Sequence, residues 1–110
     1  MTVVSTLDVA DLTVAEYRKV MDELGVERRP EGGIYLHLTT PTEDGFRVVE
    51  IWDEKEGFDR FVEQRLAPAS AAVGVEHSMG ITVTALHNFF APRLDELPGL
   101  LSTLPGAPGR

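Results

Sequence analysis

An α+β fold, with four antiparallel strands in one sheet and two helices on one face of it, is predicted by three observations on this 110-residue chain. Four short segments are rich in β-branched and aromatic residues and alternate in polarity, as strands do. Two longer segments space their apolar residues by three and four, as amphipathic helices do. The segments follow one another as strand, helix, strand, strand, helix, strand.

Val3 to Val9 alternates loosely and is rich in Val, Thr and Leu, which predicts a first strand. Thr13 can accept from the open amides of a first helical turn, and Glu16, three residues on, completes a capping box. The helix then runs from Val14 to Leu24 with Val14, Tyr17, Met21 and Leu24 on one side, and Gly25 stops it. GVERRPEGG is a turn-rich connector to the second strand, Ile34 to Thr40. PTEDG makes a tight turn into the third, Phe46 to Asp53, so these two form a hairpin. Glu54 to Ala72 reads as a helix with Phe58, Phe61, Val62, Leu66 and Ala69 on one stripe, which Pro68 kinks or divides. Gly74 closes it, VEHSMG is a loop, and the last strand spans Ile81 to Asn88. This order is the split βαβ arrangement of a ferredoxin-like sandwich, with strands one and three central in the sheet. The domain so read covers residues 1–90. Residues 91–110, with four prolines and three glycines, form a tail in which Arg93 to Leu97 can make one short helix.

The bulk numbers narrow the function. Eighteen acidic against ten basic residues give a formal charge of -8, with the cations scattered, and such a field repels nucleic acid and anionic membranes. With no cysteine, disulfides, thiolate nucleophiles and sulfur-ligated metals are excluded. MTVVSTLDVADLT lacks a basic start and reaches Asp8 too soon for a signal peptide, and no apolar run is long enough to span a membrane. A cytoplasmic protein is the expectation.

Two helices cover one sheet face, yet the strands carry apolar residues of both parities: Ile34, Leu36 and Leu38 on one side of strand two, and Val49 and Ile51 against Val48 and Trp52 in strand three. A sheet wet on one side alternates more cleanly. A second copy of the same sheet would cover the open face in a homodimer. The tail, with Phe89, Phe90, Leu94, Leu97, Leu100 and Leu101, would do so as well.

VVEIWDEKEGFDRFVEQRLAP places a tryptophan at the end of strand three, an acidic turn after it, and an aromatic residue at the start of the next helical stripe. This stretch resembles the strand-to-helix signature of the dimeric α/β-barrel superfamily, in particular the antibiotic biosynthesis monooxygenase-like domains, and the likeness spans residues 3–90. It implies a dimer in which two ferredoxin-like sheets pair. It also implies a small-molecule enzyme acting on an aromatic or polyketide-type substrate without a dedicated cofactor, by oxygenation or cyclisation. A non-catalytic dimer that binds a small hydrophobic molecule needs only the fold. The haem-degrading members share Trp52, but here the second helix has no histidine and the first strand no asparagine.

Six residues are candidates for the site. His37 and His87 are strand histidines with apolar neighbours, each either a hydrogen-bonded structural residue or a general base toward an acidic phenol or β-dicarbonyl carbon. Tyr35 shares the parity of His37 and could donate to an oxyanion. Glu50 shares the parity of Trp52, as part of a pocket or as an ion-pair partner of Arg47 or of an arginine on a second subunit. Trp52 either walls a pocket or plugs the core under Phe58, and Tyr17 lies on the apolar stripe of the first helix. An even PTEDG loop would set Tyr35 opposite Glu50 and His37 opposite Val48, whereas an odd loop would separate the pairs onto opposite faces. His77 reads as a loop residue, and the histidine spacing holds no metal-ligand pair.

Overall fold

The structure, a computed structural model, describes residues 1–97. Its element order is β1 (Val3–Ala10), α1 (Val14–Leu24), β2 (Ile34–Pro41), β3 (Gly45–Trp52), α2 (Lys55–Phe61), α3 (Ala67–Ala72) and β4 (Met79–Ala85). The strands form one antiparallel sheet in the order β2-β3-β1-β4, so β1 and β3 are central and β2 and β4 are opposite edges. This is the ferredoxin-like architecture that the element order predicts.

The capping box at α1 is complete. Glu16 N–H donates to the Thr13 hydroxyl at 3.1 Å, and Thr13 N–H donates to Glu16 Oε1 at 3.1 Å. Gly25 closes the helix in the left-handed conformation with φ 68°, where a Cβ would be strained, and its N–H donates to the Met21 carbonyl. The buried Val20, Met21 and Leu24 face the core.

The second helix is divided near Pro68, the second of the two outcomes that the sequence allows. Between α2 and α3 one π-helical turn spans Val62–Leu66, and Pro68 falls in the first turn of α3. A proline ring crowds the carbonyl four residues back, here that of Gln64. The widened turn lies across that residue, so the chain absorbs the proline by opening one turn instead of ending the helix. Phe58 and Phe61 from α2 and Ala69 from α3 then share a core with Val3 and Leu7 of β1, Val48 and Trp52 of β3, and the α1 residues. Trp52 is 2% exposed and meets Phe58 edge to face, with ring centroids 6.0 Å apart.

Two strand expectations need correction. β4 runs from Met79 to Ala85, not to Asn88, because its partner β1 begins at Val3, which pairs Ala85. One more bond, Leu86 N–H to the Thr2 carbonyl, ends the ladder, so His87 and Asn88 lie past the strand. In β2 the register shifts between Ile34 and Leu36, which makes Tyr35 a bulge. Ile34 therefore faces the helices opposite Trp52, while Leu36 and Leu38 face the other way, opposite Ile51 and Val49. The expectation that all three share one side fails for that reason. Phe89, Phe90, Leu94 and Leu97 are exposed, with a single 3₁₀ turn at Leu94–Glu96; Leu100, Leu101 and the rest of the expected tail lie outside the described residues.

The loop into β4 is tied to the helix cap, since His77 Nε2 lies 3.0 Å from both Glu16 carboxylate oxygens. The bond from His77, followed by that from the Thr13 amide, holds the Glu16 carboxyl below its ordinary 4.5. A depressed carboxyl stabilises the fold fully above its unfolded value, and that contribution is lost as pH falls through the lower, folded one. Thr13→Ala is expected to lower the unfolding free energy by about 1 kcal/mol in urea titrations at neutral pH. Glu16→Gln is expected to flatten the stability-versus-pH curve below 4.5, as measured by acid-limb melting.

Candidate functional site

A chain of hydrogen bonds runs across the helix-facing side of the sheet. Its centre is Glu50 on β3, which is 5% exposed. Even-loop pairing from Pro41 opposite Phe46 puts His37 directly across from Glu50, on the same face. His37 Nδ1 lies 2.7 Å from Glu50 Oε2, and Trp52 Nε1–H donates to Glu50 Oε1 at 3.0 Å. On the far side of the imidazole, Tyr17 Oη is 2.8 Å from His37 Nε2. The sequence Tyr17, His37, Glu50, Trp52 is thus continuous in space, although its members come from α1, β2 and β3.

One proton assignment satisfies every group in it. Glu50 as a carboxylate accepts from the indole and from His37 Nδ1–H, which leaves His37 Nε2 to accept from the Tyr17 hydroxyl. Burial raises the Tyr17 phenol above its ordinary value, and a bond with Thr39 works the other way, so the phenol stays protonated at neutral pH. The Tyr17 ring also stacks on Phe46 at 5.7 Å between centroids, which fixes its approach to the imidazole. The arrangement has the parts of an activated base: an imidazole oriented by a buried carboxylate on one nitrogen, with the other nitrogen on a movable proton. The His37 side chain keeps 27% of its surface, while both of its ring nitrogens are engaged, by Glu50 and by Tyr17.

Two of the six candidates lie elsewhere. Tyr35 does not share the face of His37 as parity implies and opposes neither Glu50 nor Val48, because the bulge removes it from the ladder; it is 69% exposed. The register is also displaced by two residues from the one expected, with Val48 opposite Thr39. His87 is exposed past the end of β4, on the edge of the sheet remote from β2. Arg47 does not pair Glu50 but bonds Asp8, at 2.7 Å.

Other features were not legible in the sequence. Ser5, on β1 directly across from Glu50, is fully buried and its hydroxyl has no hydrogen-bond partner among the described residues. Beside Trp52, a cleft of about 400 Å³ is walled by Gly33, Gly57, Arg60, Gln64 and Arg65. Of the bonded chain, Trp52 lines this cleft, while Tyr17, His37 and Glu50 do not. Among the described residues no group of three or more His, Asp or Glu side chains is placed to hold a metal ion. Nor is any helix there long and apolar enough to cross a membrane.

No family model and no curated protein matches the chain. Solved structures do. SnoaB from Streptomyces nogalater, a cofactor-independent oxygenase, is 15% identical over 80% of this chain and 93% of its own, with a TM-score of 0.56. An antibiotic biosynthesis monooxygenase is 12% identical over 80% of this chain and all of its own, at 0.55. A dimeric ferredoxin-like protein of unknown function from Thermobifida fusca is 14% identical over 78% and 92%, at 0.57. The chain shares with these proteins the ferredoxin-like fold that its tryptophan-containing stretch implies.

Glu50→Gln tests the bonded chain. An amide presents one acceptor and one donor group, so either His37 changes tautomer and its bond with Tyr17 reverses, or one buried group goes unpaired at a cost of about 1–3 kcal/mol. Urea unfolding distinguishes the two by that loss, and the single indole N–H signal of Trp52 is expected to move in the nitrogen–proton spectrum.

Proposed function

We propose that the protein is a cofactor-independent monooxygenase of acidic aromatic substrates, with His37 as its base. The observation that carries this reading is the continuous bonding of Tyr17, His37, Glu50 and Trp52. Likeness in fold to a cofactor-independent oxygenase supports the reaction class over cyclisation.

A phenol or anthrone-type carbon acid supplies its own electrons once ionised. Its proton passes to Tyr17 Oη as the Tyr17 proton moves to His37 Nε2, and the imidazolium so formed is held by the Glu50 carboxylate. Tyr17, a phenol again, then donates to the substrate oxyanion. The carbanion reduces O₂ and the two combine, with return of the proton, to a hydroperoxide at the former CH₂ carbon. Loss of water leaves a carbonyl there: R₂CH₂ + O₂ → R₂C=O + H₂O. No external reductant enters this balance.

The reading includes a homodimer. Val4, Leu36, Leu38, Val49 and Ile51 lie on the sheet face away from the helices, and Leu38 is 46% exposed. A second copy packed on this face would bury Val4, Leu36, Leu38 and Val49 beside Ile51, which is already buried, as the dimeric state of the Thermobifida fusca protein of like fold suggests. Sedimentation is expected to give twice the 12.1 kDa chain mass, and Leu38→Glu to shift it toward one chain.

Oxygen uptake with an anthrone-type phenol is the direct test. His37→Ala, Glu50→Gln and Tyr17→Phe are each expected to lower kcat by about 10²-fold or more. Uptake undiminished in His37→Ala removes His37 as the base. Saturable binding without uptake in the native protein assigns a binding protein instead.

A further inference from the structure

The cleft beside Trp52 lies outside the hydrogen-bonded chain, and its walls carry chemistry of their own. We infer that it binds a planar carboxylic acid, with the ring against the benzo edge of the Trp52 indole and the carboxylate on the Arg60 guanidinium. The inference does not depend on whether His37 turns any substrate over.

Gly57 is the first reason. It sits in the first turn of α2 and is not among the left-handed glycines. A Cβ at Gly57 would stand 3.6 and 3.8 Å from Trp52 Cε3 and Cζ3, which is ordinary contact. Neither backbone conformation nor packing therefore asks for glycine here, and glycine weakens a helix relative to alanine. What it does is leave Cε3 and Cζ3, on the edge of an indole that is otherwise buried, within reach of an atom in the cleft. The point where that Cβ would stand is also 3.9 Å from Arg60 Nη2, so a ligand atom lodged there touches ring and cation together.

Arg60 is the second. Arg47, Arg65 and Arg93 each bond a carboxylate, whereas Arg60, like Arg28 and Arg29, has no ion-pair partner among the described residues, and of these three it is the one that lines the cleft. A guanidinium fork with its donors open matches a carboxylate in two parallel bonds. Glu31, the nearby acid that would compete, is taken by Arg65, which also donates to the Leu24 carbonyl at 2.8 Å and so holds that wall still. The remaining acid, Asp53, is turned against Gly33, where a Cβ would fall 2.7 Å from Asp53 Oδ1.

The third reason is the π-turn at Val62–Leu66, which carries Gln64 and Arg65 into the wall. Single π-turns within helices are frequent at functional sites. A volume of about 400 Å³ suits a ligand of one or two fused rings.

The test uses the full chain with naphthoate and its neutral counterpart, naphthylmethanol, read at the Trp52 indole N–H signal. Naphthoate is expected to shift that signal saturably and to bind about tenfold or more tightly than the alcohol. Arg60→Gln is expected to weaken naphthoate by about tenfold or more while leaving the alcohol unchanged. Gly57→Ala is expected to abolish the shift while the melting temperature holds or rises, which separates a blocked site from a damaged fold. Equal binding of acid and alcohol, naphthoate binding unchanged in either variant, or no saturable shift in the native protein would overturn the inference.

Discussion

A carboxylate buried on the helix side of a central strand costs several kcal/mol unless donors meet both of its oxygens. Glu50 is such a group, and the donors come from two directions, His37 across the hairpin and Trp52 two residues along the same strand. Each partner is constrained in return. The pairing of His37 with Glu50 holds β2 in a register that a one-residue slip would break, because the imidazole would turn to the opposite face. The indole is anchored by its N–H, and so its hydrocarbon edge is presented to Phe58, Phe61 and the cleft. Through Tyr17 the same network reaches α1, so that the docking of a helix and the register of a hairpin answer to one acid.

Much of this could be read from residue types and spacing. The α1 cap, from Thr13 and Glu16 to Gly25, is a local device, and local devices are written in adjacent residues. The order of elements, the central strands and the hairpin followed from periodicity, and the shared face of Glu50 and Trp52 from parity. Parity failed at Tyr35 because a bulge carries no fixed sequence mark, and one inserted residue moves everything beyond it to the other face. His87 was misplaced because the length of β4 depends on where β1 begins, a fact about another part of the chain. The bond from Tyr17 to His37 is a tertiary contact between a helix and an edge strand, which no pattern within either segment could specify. Glycine was the weakest signal of all: Gly57 reads as a blemish in a helix until its neighbours in space are known.

Each face of the sheet carries residues that depart from the usual assignment of polarity. Under the helices, where apolar residues are the rule, lie Ser5, Glu50 and His37; on the side without helices lie Val4, Leu36, Leu38, Val49 and Ile51. A polar group under helices is tolerated when it is paired, and Glu50 and His37 are. Apolar residues on an uncovered face gain nothing from water, and the force that would remove them from it grows with the area removed, at roughly 25 cal/mol per Å². Covering that face with a second sheet would release the helix side from supplying all of the burial energy. The helix side could then hold a polar chain, an unpartnered hydroxyl and an open cleft without loss of the fold. On this argument the proposed pairing and the proposed chemistry are linked: the apolar face stabilises what the polar one gives up, and a monomer would have little reason to keep both.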